Sequence, residues 1–300
     1  MNATPRGIDT PHRGSQNGRM TSEQTPILVI GGTGKTGARV AARLEARGQE
    51  VRIGSRSADP SFDWDDRSTW GPALEGTRAA YISFFPDLAV PGAPEAVAAL
   101  AREALAVGTR RLVLLSGRGE AEAQRAEAEL AASGADWTVV RASWFAQNFS
   151  EAQFLEPLLA GELALPADAG REPFVDADDI ADVAVAALTE PGHSGRVYEV
   201  TGPRLLTFGE AVAEIAEASG RELRYQPISM AAFETGAAEA GEPEEVVALL
   251  RYLFTEVHGH NPTIGDGVQR ALGRPARDFS DYARDAAATG VWSAADGRAA

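Results

Sequence analysis

The stretch ILVIGGTGKTG, Ile27 to Gly37, sets an apolar β-branched run directly before a glycine-rich turn, and an Ala/Arg/Leu-rich helical pattern follows from Ala38 to Arg47. A strand, a glycine turn and a helix in that order aim the helix's unpaired N–H groups and positive dipole end at any anion over the turn. Gly32, Gly34 and Gly37 fit G-x-G-x-x-G, while Gly31, Gly34 and Gly37 fit G-x-x-G-x-x-G. Gly34-Lys35-Thr36 also looks like the end of a Walker A loop. That loop needs a glycine five positions before its second Gly, where this chain has Val29, so the spacing excludes a triphosphate loop. Dinucleotide binding is the reading that remains, with Gly31, Thr33, Gly34, Lys35, Thr36 and Gly37 as the expected contacts.

Outward from this turn, strand-like runs at Ile27–Ile30, Val51–Ile53, Ala79–Phe84, Arg111–Leu115 and Trp137–Val140 alternate with helical patterns near 38–47, 94–107 and 119–132. A helix at Ile180–Leu188 and a strand at Val197–Val200 complete the series. Such alternation predicts an α/β fold: a Rossmann-type, doubly wound parallel sheet with ligands along its C-terminal edge. After Gly202 the pattern loses its regularity. Phe208–Ser219 reads as an amphipathic helix, Leu223–Ile228 as a short strand, and the rest as helices broken at Gly241-Glu242-Pro243, Asn261-Pro262 and Arg274-Pro275. The expected organisation is a disordered tail over 1–25, a dinucleotide-binding domain over 26–155 and 172–203, a smaller, mostly helical substrate lobe over 156–171 and 204–290, and a second tail over 291–300.

Bulk composition narrows the chemistry. A net charge of −15 argues against a sequence-independent grip on nucleic acid. The chain has no cysteine, so disulfides, thiolate catalysis and zinc-thiolate sites are excluded. Its four histidines, at 12, 193, 258 and 260, supply little for a metal centre, and His258 and His260 read as a solvated loop. No metal is expected. The acids Asp176, Asp178, Asp179 and Asp182 open a helix, where N-capping and dipole complementarity account for them. No run approaches the ~18–20 apolar residues of a membrane span, and residues 1–25 lack the apolar core of a signal peptide. A cytoplasmic, soluble protein with no membrane partner is the expectation.

The second strand decides between cofactors. An NAD-binding fold commonly ends that strand on an acid that holds the ribose 2′-hydroxyl. Here Ser55 and Arg56 follow it, with no acid before Asp59. An arginine at this turn can fork onto a 2′-phosphate, with Ser55 adding a hydroxyl and Lys35 a second cation. NADP(H) is therefore preferred, with NAD(H) still possible. Asp63 and Trp64, beside Phe62, read either as an adenine-edge contact or as a loop packed on the sheet.

GGTGKTG at 31–37, LLSGRGE at 114–120, SGADWTVVRASWFAQNF at 133–149, DADDIADVA at 176–184 and GRPARDFSDYARD at 273–285 together resemble the NmrA-like, atypical branch of the short-chain dehydrogenase/reductase superfamily. They span nearly the whole chain apart from the N-terminal stretch. The resemblance implies a Rossmann domain and a small C-terminal lobe, with the nicotinamide in the cleft between them. Ordinary members of the superfamily use Tyr-x-x-x-Lys, the lysine lowering the tyrosine pKa for proton transfer. Lys35 is the only lysine here, against 27 arginines, so that dyad is absent, and Ser116, in the place of the usual catalytic Ser/Thr, lacks its partners.

Two functions are compatible with this resemblance. One is a reductase similar to the quinone and triphenylmethane-dye reductases, passing hydride directly to an electron-poor aromatic, quinone-like or enone acceptor, with proximity supplying most of the rate. The other is a non-catalytic NAD(P)-binding redox sensor acting through a protein partner. Phe84, Phe85, Ser116, Ser143, Trp144 and Phe145 are the expected nicotinamide-side contacts. Pro86, Gln147 and Asn148 are expected to line the place of a flat aromatic substrate, with Gln147 and Asn148 able to hydrogen-bond the nicotinamide carboxamide or a substrate carbonyl. Aromatic and polar side chains mixed in this way suit a ligand pocket. Trp144, Phe145 and Phe149 have an alternative reading as core between the lobes. For the proton, Asn148, Tyr252 or water are the candidates.

Overall fold

Side chains along the strands alternate between two apolar layers, and this alternation organises the molecule. The structure, a computed structural model, describes residues 25–293; the expectations for residues 1–24 and 294–300 fall outside it. In chain order the elements are β1 (Ile27–Ile30), α1 (Lys35–Ala46), β2 (Val51–Gly54), α2 (Trp70–Leu74), β3 (Ala79–Ile82), α3 (Ala93–Ala106), β4 (Arg111–Gly117), α4 (Ala121–Ala132), β5 (Asp136–Ala142), α5 (Leu155–Leu159), β6 (Glu162–Leu165), α6 (Ala177–Thr189), β7 (Arg196–Val200), α7 (Phe208–Ser219), β8 (Arg224–Pro227), α8 (Met230–Glu239), α9 (Glu244–Tyr252), α10 (Gly267–Leu272) and α11 (Phe279–Ala288).

Six parallel strands form one sheet in the order β2-β1-β3-β4-β5-β7. Ile27 and Val29 face α1 and α6, packing with Val40, Leu44, Ile180 and Val183. Leu28 and Ile30 face the opposite layer, with Trp70, Val97, Leu100, Ala126 and Leu130. Both faces are covered, as a parallel sheet requires. The direction of strand addition reverses between β1 and β3, and at such a switch point the loops part to leave a ligand crevice outside the strand ends.

The lobe over that edge has its own aromatic core, in which Phe149, Phe154, Phe174, Phe208 and Phe279 converge. It contains the small parallel pair β6–β8, whose first strand the sequence reading left out. It also runs past the expected boundary at 290. Trp292 is fully buried, and its indole N–H donates to the Phe149 carbonyl at 2.9 Å.

Two sets of ion pairs fix α6. Arg39 and Arg43 of α1 reach Asp178 and Asp182. Arg274 and Arg277, from the far C-terminal segment, meet the fully buried Asp179 together with Asp182. Asp176 caps the helix, accepting the Asp178 N–H at 2.8 Å. No helix among the described residues is long and apolar enough to cross a membrane.

Candidate functional site

Gly31 adopts φ +72°, which favours glycine, and turns the chain immediately after β1. A Cβ on Gly37 would lie 2.1 Å from the Gly31 carbonyl oxygen, so only glycine lets α1 start this close to the strand. Gly34 differs. It forms the N-cap of α1, offers no side-chain cap, and a Cβ there would meet only the Gly31 carbonyl oxygen, at 3.3 Å. The first-turn amides of α1 therefore have no side-chain cap and no carboxylate in that turn to neutralise them. These are the features of a pyrophosphate cradle, and the residues present fit that group.

On one side of the cradle, the Gly31 N–H donates to the Gly54 carbonyl at 2.9 Å and brings the end of β2 alongside. Ser55 and Arg56 follow there. Arg56 is exposed and, among the described residues, makes no ion pair, although the chain holds 43 acids. Trp64 packs against Phe62, Trp70 and Phe84, and its indole N–H donates to the Ser83 carbonyl. The Asp63 carboxylate accepts the Asp65 N–H at 3.1 Å. Of the two readings of this segment, the packed loop is the one the contacts describe.

On the other side lie the loops after β3, β4 and β5. Lys35 reaches this side, not the β2 edge where it was expected to add a second cation beside Arg56. Its ammonium donates to Asn148 Oδ1 at 2.6 Å and stands 5.9 Å from the centre of the Phe145 ring. The reason is geometric: from the first position of α1 the Lys35 side chain reaches the loop after β5. Burial pulls the Lys35 pKa down, and the nearby Glu151 carboxylate pulls it back up. Phe85, after β3, is 69% exposed and has no aromatic neighbour among the described residues, whereas Phe84 packs on Trp64. Pro86 is exposed beside it.

Several expected site residues have other employment. Gln147 is buried and spans the start of α6, donating to Asp176 Oδ1 at 2.8 Å and accepting the Ala177 N–H at 2.7 Å. It is a fold residue, with neither end of its amide free for substrate. Ser143 donates to the Pro173 carbonyl at 2.5 Å and is buried. Trp144 belongs to the lobe core with Phe208 and Phe254, and Phe149 is completely buried. Ser116 points away from the crevice into the α4 layer and donates to Glu127 Oε1 at 2.6 Å. Tyr252 accepts the Ala121 N–H at the start of α4, and Asn148 is held by Lys35. His258, expected in a solvated loop, is buried against Trp144 and Phe208, 3.4 Å from Glu172.

All five tyrosine hydroxyls have neighbours other than lysine: Thr36 beside Tyr81, Ala121 at Tyr252, His193 at Tyr198, Ala167 at Tyr225 and Ser150 at Tyr282. The sequence reading missed Asp87 and Glu120, two carboxyls brought together at the ends of β3 and β4. Their separation of 33 positions hides the contact. Only the adjacency of β3 and β4 in the sheet reveals it.

No family model matches the chain. It is 32% identical over 285 residues to an uncharacterized oxidoreductase, YesF, of Bacillus subtilis (strain 168), covering 90% of this chain and 99% of that one. It is 30% identical to an NAD(P)H azoreductase of Xenophilus azovorans, with 87% and 98% covered. Among solved structures, the Citrobacter sp. triphenylmethane reductase complexed with NADP(H) superposes with a TM-score of 0.68 at 19% identity, covering 87% of this chain and 99% of that chain. Fold, glycine turn and relatives define the class, an NAD(P)H-dependent oxidoreductase on a Rossmann sheet. Within that class the chain belongs to the NmrA-like, atypical branch of the short-chain dehydrogenase/reductase superfamily.

Proposed function

We propose that this protein is an NADPH-dependent reductase that delivers hydride directly to an electron-poor conjugated acceptor, a quinone-like, azo or enone compound. The observation that carries the reading is the uncapped start of α1 between an unpaired arginine and an exposed aromatic. The amides after Gly34 would hold the pyrophosphate, Arg56 the 2′-phosphate, and Phe85 one wall of the crevice where the acceptor lies. NADPH bound there supplies the hydride.

What the chain's own residues do is bind, orient and exclude water. Lys35, anchored on Asn148, fixes the β5 loop against the cradle and leaves positive charge at the crevice. Phe145, beside Lys35, and the exposed Phe85 offer flat apolar faces suited to a conjugated ring. Without a Tyr-x-x-x-Lys pair, catalysis rests on proximity and on an acceptor already able to take hydride. The names of the azoreductase and the dye reductase agree with such acceptors.

NADPH oxidation, followed by absorbance with quinones, azo compounds, enones and cationic dyes, tests this proposal alongside NADPH and NADH titrations. Turnover above the protein-free rate is expected. Saturable NADPH binding with no turnover on any acceptor would overturn the reductase reading in favour of a redox sensor with a protein partner.

A further inference from the structure

Hydride transfer to a quinone, enone or azo group leaves a basic oxygen, carbon or nitrogen that must take a proton. Asn148 is held by Lys35, and Tyr252 accepts a backbone N–H. One group at the strand ends is not committed to the fold. Glu120 occupies the N-cap position of α4 without a side-chain cap bond and is only 7% exposed, and among the described residues its Oε2 has no hydrogen-bond partner. Its carboxyl lies flat over Gly117, where any Cβ would collide with it. Beside it stands Asp87, from the loop that carries Phe85, partly exposed and accepting the Ala89 N–H at 2.8 Å.

We infer that the Asp87–Glu120 carboxyl pair shares one proton and is the proton donor to the acceptor. Four elements surround it. The β3 loop contributes Asp87 itself. Helix α4 contributes Glu127, a further negative charge whose own oxygens are taken by Ser116 and Arg141. The β4 loop contributes Arg118, whose guanidinium is turned away to Glu199, Asn261 and Thr263. From the lobe, Tyr252 contributes its hydroxyl at Ala121, and Val257 covers Gly119. No cation faces the pair from these groups. Burial pushes both carboxyls upward. The neighbouring Asp87 and Glu127 push Glu120 further, whereas hydrogen bonds from the Ala89 N–H and from Glu120 pull Asp87 back, so that Glu120 holds the proton toward Asp87.

The step balances without another reactant. The acceptor gains hydride on one atom and breaks its π bond toward the heteroatom. That heteroatom takes the shared proton, which passes from Glu120 through Asp87, the partly exposed member. Both carboxyls are then ionised until solvent water reprotonates the pair between turnovers. Because this donor serves the proposed reductase activity, its test must separate the two claims.

Cationic triphenylmethane dyes provide the separation, since hydride alone converts the cation to the neutral leuco form and no proton is needed. Glu120→Gln and Asp87→Asn are measured against the unaltered protein, with a quinone or azo acceptor and with the dye. The expected result is a quinone or azo rate about 100-fold lower relative to the dye rate in both variants. The unaltered protein's quinone rate should fall as pH rises through the raised carboxyl pKa, and Glu120→Gln should lose that limb. A second readout uses cofactor-free protein: a protonated carboxyl C=O stretch is present in the infrared at neutral pH and missing in Glu120→Gln. Equal loss of both activities, or loss of neither, overturns the donor. A protein that reduces no acceptor at all overturns the reductase reading, and this donor with it.

Discussion

Replacing Gly37 and Gly34 separately by alanine should split stability from cofactor binding, because the two glycines exclude a side chain for different reasons. At Gly37 the new Cβ would sit 2.1 Å from Gly31 O, 2.7 Å from Gly31 C and 2.9 Å from Gly32 Cα. All three neighbours are backbone, so none can rotate aside, and the helix must retreat by more than 1 Å to reach ordinary contact. That retreat loosens Val40, Ala41 and Leu44, which are buried against the sheet. A gap of 0.5–1 Å forfeits roughly a quarter to a half of each contact's attraction, and complete loss of a buried leucine side chain costs about 2–5 kcal/mol. Partial loss over three side chains is therefore about 3 kcal/mol, offset by about 1 kcal/mol from alanine's better helix propensity. The net, about 2 kcal/mol, should lower the melting temperature by roughly 4–8 °C. At Gly34 the backbone is extended, at φ −85° and ψ 174°, and the added Cβ meets one atom at 3.3 Å. Its melting temperature should stay within about 2 °C of the parent. NADPH affinity should nevertheless fall about tenfold or more, because the methyl enters the space the pyrophosphate needs. Circular-dichroism melts and fluorescence titration read the two effects. A Gly37→Ala protein as stable as the parent, or a Gly34→Ala protein that binds NADPH normally, would refute the reasoning.

Arg56→Ala should weaken NADPH binding by about 1.5–3 kcal/mol, or roughly 10- to 100-fold, and leave NADH binding unchanged. Equal losses for both cofactors would place the 2′-phosphate elsewhere. Gln147→Ala should cost about 2–3 kcal/mol in urea unfolding, since it removes one of the donors to the buried Asp176 carboxylate and strands the Ala177 N–H, while leaving the acceptor KM unchanged in the folded protein. A raised KM without loss of stability would return Gln147 to the substrate. Asp278→Ala should remove the N-cap of α11 and one of the two carboxylate partners of Arg204, costing about 1 kcal/mol at neutral pH. Hydrogen bonds from Arg204 hold the Asp278 carboxyl well below its ordinary pKa. Its contribution is thus complete above the unfolded carboxyl value and is lost as pH falls through the lower folded one, so unfolding curves for parent and variant should converge in acid.

The parts of this molecule that were legible in the sequence are those written in short-range pattern. The β1–turn–α1 unit could be read because strand, glycines and helix are contiguous, and Asp176 could be read as the cap of α6 because capping spans only two or three residues, whereas Asp178, Asp179 and Asp182 hold arginines far away in sequence. What escaped depends on which strands become neighbours. Lys35 stands beside Gly34 in sequence, yet its ammonium belongs to the β5 loop, 113 positions away at Asn148. Gln147 sits among aromatics and resembles a ligand group, but its amide matches the two open ends at the start of α6, an arrangement that needs residues 176 and 177. Trp292 lay beyond the last readable helix because one buried indole carries no periodicity. β6, four residues long, was equally silent.

The α4 layer gives the reason why the chemistry must sit at the rim. In the dyad-bearing members of the superfamily, the helix after the Ser/Thr strand carries the tyrosine and lysine; here that helix presents Glu127. Its carboxylate holds Arg141, which also reaches Glu199, and it accepts the Ser116 hydroxyl, all with Glu127 only 6% exposed. A buried anion of this kind is tolerable only while it remains paired, and removing a partner leaves an uncompensated charge that costs several kcal/mol. Ser116, Glu127 and Arg141 therefore cannot trade protons with a substrate without unsettling β4 and β5. That commitment closes the helix-facing side of the crevice to acid–base work. The groups left with exchangeable protons are those on the loops, where Asp87 and Glu120 meet.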